Sequence, residues 1–467
     1  MKIAFHGAAR TVTGSKHLLT LKNGKKILLD CGMFQGLGDD TAPLNKEFGF
    51  EPAEIDCLVL SHAHIDHSGL IPKLVKEGFE GPIYCTPATH DLTRILLFDS
   101  AEIQESDARF LNKRLSREGR PSVAPLYREA DVQRALSLIR EVDYQHPFSI
   151  MDGVELLFTD AGHIIGSAAV HLKIQEEGKE VRLSFSGDVG RYKDIILRSP
   201  ETFPQADFIL LESTYGNSLH PAPQPAREAL LQHIIETCVE RKGKLIIPAF
   251  SVGRTQELLY DLNRLQLEGK LPRIPFYVDS PLSMEATEVV KRHPECFNKT
   301  VAKLLEIDDD PFSFPGLRYI KSVDESKALN YHKDPCVILS ASGMAEAGRV
   351  KHHIANNIDD PRNTILIVGY CEPHSLGGRL MRGAQEVTIY GERYSVNANV
   401  GVIRSMSAHG DYEDLCQFLA CQDPRAVQRL FLVHGEYEVQ QDFRDRLIKK
   451  GFTDVVIPEQ HQEFGLG

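Results

Sequence analysis

Nowhere among the nine cysteines of this 467-residue sequence do two stand in a Cys-x-x-Cys pair. A structural zinc knuckle of that spacing is therefore excluded, and an odd, scattered set does not make a disulfide framework. The thiols read as the reduced cysteines of a cytoplasmic protein. No apolar run approaches the ~20 residues that a membrane-spanning helix needs, so no membrane partner is expected. The opening Met1-Lys2-Ile3-Ala4-Phe5-His6-Gly7 reads as a strand rather than a signal peptide. No internal repeat or low-complexity linker is present. Positive charge is also scarce: 53 Lys and Arg stand against 65 Asp and Glu, for a formal charge of -12. A protein that coats nucleic acid nonspecifically needs clustered Lys and Arg, so that class is excluded. A nuclease with a local basic groove is not, because bound cations add positive charge that a residue count omits.

The length suits two or three domains, and the most informative run follows the apolar Cys57-Leu58-Val59-Leu60. It is Ser61-His62-Ala63-His64-Ile65-Asp66-His67-Ser68-Gly69. Three imidazoles and a carboxylate on one short turn are what a site for two adjacent metal ions needs, and both donor types suit Zn²⁺. Two bridged metals take about six or seven protein ligands, so more must come from elsewhere. Three candidates each follow a β-rich run: His163 in Asp160-Ala161-Gly162-His163, Asp188 in Ser186-Gly187-Asp188, and His434 in Val433-His434-Gly435. Gly162, Gly187 and Gly435 allow close backbone approach there. Singly, each candidate reads as a surface histidine or a turn aspartate. Together with the cluster, the ligand reading takes precedence.

Short β-rich runs dominate the first 210 residues: 2–6, 17–21, 26–30, 57–61, 82–85, 154–158, 168–174 and 181–186. Helical spacing occupies 67–77, 90–118 and 128–141. Sheets packed together and covered by helices are expected. From Phe208 the texture changes to almost wholly apolar runs, at 208–211, 244–248, 275–278, 335–339 and 364–368. Helical segments at 226–241, 255–267, 283–292 and 345–356 separate them. That alternation predicts a parallel sheet buried on both faces, hence a second, α/β domain. Residues 430–433 read as one more buried strand.

His62-x-His64-x-Asp66-His67 resembles the hallmark of the metallo-β-lactamase fold, and Asp30 in Leu28-Leu29-Asp30-Cys31-Gly32 resembles that fold's first motif. Glu212-Ser213-Thr214-Tyr215, Ala408-His409-Gly410-Asp411 and Val433-His434-Gly435-Glu436 resemble motifs A, B and C of the β-CASP nucleases. The segments 249–257 and 340–344 are also similar to those of their inserted domains. The resemblance implies an α/β (α+β) chain: a metallo-β-lactamase αββα sandwich interrupted by a β-CASP domain of mainly parallel sheet. The expected division is 1–208 and 395–467 for the sandwich and 209–394 for the insertion. It implies one zinc on His62, His64 and His163, a second on Asp66, His67 and His434, and Asp188 bridging them. Asp30 orients site residues without binding metal, and Mn²⁺ or Fe²⁺ are possible substitutes for zinc.

The function expected from the resemblance is a ribonuclease of compact bacterial type, acting on single-stranded RNA and leaving 5′-phosphate and 3′-hydroxyl ends. Phosphodiester hydrolysis needs a nucleophile at neutral pH, neutralised phosphate oxygens and a proton for the departing oxygen. A metal-bridging hydroxide meets the first need and the metals the second. His409 is the candidate general acid, with Glu212 hydrogen-bonded to it. His434 at motif C favours RNA over DNA within the family. The end of the chain, about thirty residues past His434, leaves no additional RNase J-type C-terminal domain, which weakens transfer of a tetrameric 5′-exonuclease role. A monomer or a homodimer fits the sequence equally. A DNA nuclease of the same family and a small-molecule (thio)ester hydrolase on the same fold stay open as alternatives. Arg254, Arg349, Lys351, Arg379 and Arg382 are candidate phosphate contacts, Arg379 foremost, and 340–348 can present backbone N–H groups. Tyr215, Phe250 and Tyr370 are candidate base-stacking residues.

Overall fold

In the computed structural model, residues 1–220, 226–369, 371, 374–403 and 407–467 are described. They divide into two compact units: Met1–Leu219 with His409–Gly467, and His220–Ala408 between them in sequence.

The first unit is built on two seven-stranded sheets. One runs Glu463–Gly465, Lys2–Gly7, Lys16–Thr20, Lys26–Leu29, Cys57–Val59, Ile83–Cys85, Ile139–Glu141. Its first four strands pair antiparallel and the rest parallel. The other runs Val455–Val456, Arg429–Val433, Phe208–Glu212, Lys179–Phe185, Ala168–Glu176, Val154–Asp160, Phe148–Met151. Side-chain alternation explains how they pack. Leu19, Leu29 and Val59 from the first sheet share one core with Phe158, Phe185, Leu210 and Phe431 from the second. The intervening residues point the other way. Leu28 and Leu58 meet Leu70, Leu74 and Val75, where the helix Ile71–Lys76 lies. Ile209, Leu211 and Leu432 meet the helices Tyr412–Phe418 and Tyr437–Lys449. The result is the αββα sandwich.

The second unit holds a six-stranded parallel sheet in the order Leu317–Tyr319, Phe276–Val278, Cys336–Ser340, Lys244–Pro248, Thr364–Val368, Asn399–Ile403. Its central strands are buried along their whole length. The helices Arg254–Leu267, Pro281–Arg292 and Arg349–Asn357 follow strands, so the strand C-termini line one edge. A hairpin, Glu386–Ile389 with Glu392–Ser395, stands apart from that sheet.

Several sequence expectations are corrected. The apolar run at Phe208 pairs in the first unit, between Lys179–Phe185 and Arg429–Val433. It reads as a doubly buried strand because both of its faces are covered, by the second sheet's partner on one side and by helices on the other. The helical spacing at 128–141 ends at Ser137, and Ile139–Glu141 is an edge strand. The helix expected from Ala345 starts at Arg349, because Ala345 and Gly348 take φ of 60° and 76°. None of the nine cysteines forms a disulfide. Among the described residues no helix is long and apolar enough to cross a membrane.

Candidate metal centre

The candidate residues collect within the first unit, where strands of both sheets end. Asp30 follows Lys26–Leu29, and the His62–His67 run follows Cys57–Val59. From the facing sheet, His163 comes after Val154–Asp160, Asp188 after Lys179–Phe185, Glu212 ends its strand, and His434 follows Arg429–Val433. His64 is extended, and the single helical turn Ile65–Ser68 carries Asp66 and His67. The loops touch through backbone. A Cβ at Gly32 would lie 1.6 Å from the Asp66 carbonyl oxygen, and one at Gly190 would lie 1.8 Å from that of Gly162. The close approach expected at Gly187 and Gly435 is also present, against Ser61 and Ser213. Asp30 and His434 adopt φ of 58° and 49°, a conformation rare outside glycine and characteristic of constrained sites.

Two donor groups form. In the first, His64 Nδ1 lies 3.1 Å from His62 Nε2 and 3.2 Å from His163 Nε2. Asp188 Oδ2 lies 3.4 Å from His62 Nε2 and 3.5 Å from His163 Nε2. In the second, Asp66 Oδ2 is 3.4 Å from His434 Nε2. His67 Nε2 approaches Asp188 Oδ1 at 3.3 Å, and His434 Nδ1 approaches the same oxygen at 3.6 Å. Asp188 thus has one oxygen toward each group. These spacings fit metal ions. A tetrahedral centre with bonds of about 2.0–2.1 Å separates its ligands by about 3.3 Å. His67 Nε2 and Asp188 Oδ1 are buried and meet no hydrogen-bond partner among the described residues. Unsatisfied polar atoms at that depth are costly unless a cation is to receive them.

Protonation follows the same logic at His62 and His163. Burial, with the neighbouring His67, pushes His62 down to about 3, which keeps a lone pair available for a metal. Burial likewise drives His163 well below its ordinary value. Burial also opposes charge on His67, but Asp188 and Asp30 outweigh it and hold that imidazole well above its ordinary value. For Asp188 the carboxylate wins over burial because four imidazoles surround it.

Orienting contacts surround the donors. Asp30 is fully buried. Its Oδ1 accepts from Ser61 N at 2.7 Å, while Oδ2 accepts from Ser61 Oγ at 2.9 Å and lies 2.6 Å from His67 Nδ1. That fixes the ring so that Nε2 faces the donor group. Glu212 Oε1 accepts from Val189 N and lies 3.1 Å from His409 Nδ1, and Oε2 accepts from Thr214 N. His409 Nε2 lies 3.9 Å from Asp188 Oδ2. Burial disfavours the charged form of His409, but Glu212 and Asp188 more than offset this and raise it to about 9. Sequence reasoning missed Ser61 and Thr214, whose Oγ1 is 3.1 Å from His434 Nδ1. Their positions beside Asp30's partner strand and directly after Glu212 were the available signals.

The predicted phosphate contacts lie in the second unit. Arg254 pairs with Glu257, Arg349 with Asp279 at 2.7 Å, and Lys351 with Glu346 at 3.8 Å. Arg379 sits half-buried on the helix Leu376–Met381, and its Nε meets no hydrogen-bond partner among the described residues. Tyr370 lies outside the described residues.

Three family models match: the metallo-beta-lactamase superfamily over residues 17–247, the Beta-Casp domain over 255–380, and the Zn-dependent metallo-hydrolase RNA specificity domain over 393–458. Ribonuclease TTHA0252 of Thermus thermophilus is 38% identical over 440 residues, covering 94% of either chain. The RNase J-like protein of Methanocaldococcus jannaschii is 31% identical, covering 93% of this chain and 92% of its own. The transcription termination factor FttA of Methanosarcina mazei is 32% identical over 96% of this chain and 69% of its own. The sandwich and its donor groups define a metal-dependent hydrolase. The chain belongs to the β-CASP family of the metallo-β-lactamase superfamily, whose members include proteins named ribonucleases.

Proposed function

We propose that the protein is a zinc-dependent ribonuclease that hydrolyses phosphodiester bonds of single-stranded RNA, leaving 5′-phosphate and 3′-hydroxyl ends. The observation that carries the reading is the Glu212–His409 pair beside a seven-residue donor set, in a chain 38% identical to a protein named a ribonuclease. His62, His64 and His163 would hold one metal, and Asp66, His67 and His434 a second, with Asp188 shared between them. When bound, such metals supply an activated water and neutralise the phosphate oxygens. Asp30 fixes His67, and Thr214 sets the His434 ring from its Nδ1 side. Glu212 holds His409 through Nδ1, and Nε2 is the atom assigned to protonate the departing 3′-oxygen. Arg379 is assigned a phosphate contact on the second unit. The chain's organisation is read as a sandwich in two parts with the β-CASP domain inserted, its bounds moved from the expected 1–208, 209–394 and 395–467 to the units Met1–Leu219 with His409–Gly467 and His220–Ala408.

The test is cleavage of end-labelled single-stranded RNA and DNA of matched sequence by protein of measured metal content. RNA cleavage with about two metals per chain supports the reading. Preferential DNA cleavage, or hydrolysis of a thioester alone, overturns it.

A further inference from the structure

The candidate site accounts for bond breaking but assigns nothing that holds a nucleotide base. Phe250 lies in the second unit, just past the strand Lys244–Pro248, at the C-terminal edge of the parallel sheet. Ligands of open α/β sheets bind along that edge. Phe250 is 43% exposed, while Ala249 before it and Val252 two residues on are buried. A single exposed apolar residue is ordinary on a protein surface. Phe250 differs in two ways.

First, its backbone is pinned. Ala249 N donates to Ser340 O at 3.0 Å, and Thr255 donates to the Phe250 carbonyl from both N and Oγ1, at 3.2 and 2.7 Å. Gln256 Nε2 donates to Ser251 O at 3.1 Å and to Thr287 Oγ1 at 2.9 Å, which ties the next residue to a neighbouring helix. An exposed ring on a fixed backbone loses little freedom on contact with a ligand. Second, the ring has a floor of glycine. A Cβ built on Gly343 would lie 2.6 Å from Phe250 Cδ2, 2.7 Å from Cε2 and 3.0 Å from Cγ. Contact with three ring carbons at once means that the Gly343 backbone lies beneath a ring face, where any side chain would lift the ring. One face is thereby supported, and a substantial part of the residue stays exposed.

We propose that Phe250, seated on Gly343, is a stacking platform for one unpaired nucleobase of the substrate strand. The inference rests on the ribonuclease reading for its ligand class. Stacking on an aromatic face accepts every base and is sequence-tolerant, and it places the strand without taking part in the chemistry.

The experiment mixes metal-loaded protein with single-stranded RNA carrying 2-aminopurine at successive positions and follows fluorescence during binding, before cleavage. Quenching is expected at one position in the wild type and in Phe250→Tyr. Phe250→Leu abolishes it and weakens binding between about 5-fold and 100-fold, with metal content and circular dichroism unchanged. Gly343→Ala keeps the aromatic group but displaces it, and loses the quenching too. If Phe250→Leu binds RNA as the wild type does, the exposed ring is an aliphatic cover or a protein contact, and the platform is refuted while the ribonuclease reading stands. A wild type that neither binds nor cleaves RNA removes both.

Discussion

Replacing Asp30 with asparagine changes one atom in the wall behind the metal centre. The Asp30 carboxylate serves four donors with two oxygens: Ser61 N on Oδ1, and Ser61 Oγ, Ser15 Oγ and His67 Nδ1 on Oδ2. An asparagine keeps only one oxygen. If that oxygen stays with Ser61 N, the amide NH₂ faces His67 Nδ1, which must then accept. The imidazole proton moves to Nε2, the atom aimed at Asp188 Oδ1, and a metal donor is lost. If the amide flips, NH₂ meets the Ser61 N–H in a fully buried place and both go unsatisfied. The first outcome weakens metal binding by about 10- to 100-fold, the range seen for lost orienting partners. The second costs about 1–3 kcal/mol of stability. Asp30→Asn is therefore expected to lose metal to a chelator at lower concentration, to unfold earlier in denaturant, or both. Metal titration with metal-specific emission and a urea transition measure the two together. Wild-type metal affinity with wild-type stability would refute the orienting role.

Glu212→Gln should slow RNA cleavage about 10- to 100-fold while metal content holds, since the amide cannot both accept from Val189 and Thr214 and hold His409; metal loss instead would mean that Glu212 supports the ligands. His171 is buried between Thr159 Oγ1 and Ser184 Oγ and stacked on Phe203, and burial lowers it to about 3. Its unfolded value near 6.5 is higher, so the unfolded chain binds the extra proton and stability falls as pH drops through that window. Between pH 7.5 and 5 this amounts to about 2 kcal/mol, which His171→Gln should remove from the pH dependence of the urea midpoint; an unchanged slope would mean that the ring takes up its proton in the folded protein as it does in the unfolded chain.

The sequence and the structure agree most closely where one kind of physics acts alone. The His62–His67 run is a local arrangement, and its donor atoms converge within one turn and its extended approach. His163, Asp188 and His434 were legible because each ends a strand, and strand ends are marked by alternation giving way to glycine. Ser61 and Thr214 were not, because a hydroxyl's partner is decided by which loops meet across two sheets. Phe208–Glu212 shows a limit of apolar patterning: five buried residues record that both faces are covered, not by which domain. Ile139–Glu141 has one buried residue in three, too little to display a period of two. Arg254 and Arg349 were ambiguous for a similar reason, since Glu257 and Asp279 engage them in ion pairs within the second unit.

Single-turnover cleavage of RNA with sulfur in place of the 3′-bridging oxygen at one linkage, by wild type and His409→Ala of equal metal content, tests the central claim most directly. A thiolate leaves without protonation. The account predicts that His409→Ala is slower by roughly 10²-fold or more on the oxygen linkage and close to wild type on the sulfur linkage. An equal loss on both, or loss of metal from His409→Ala, would contradict it.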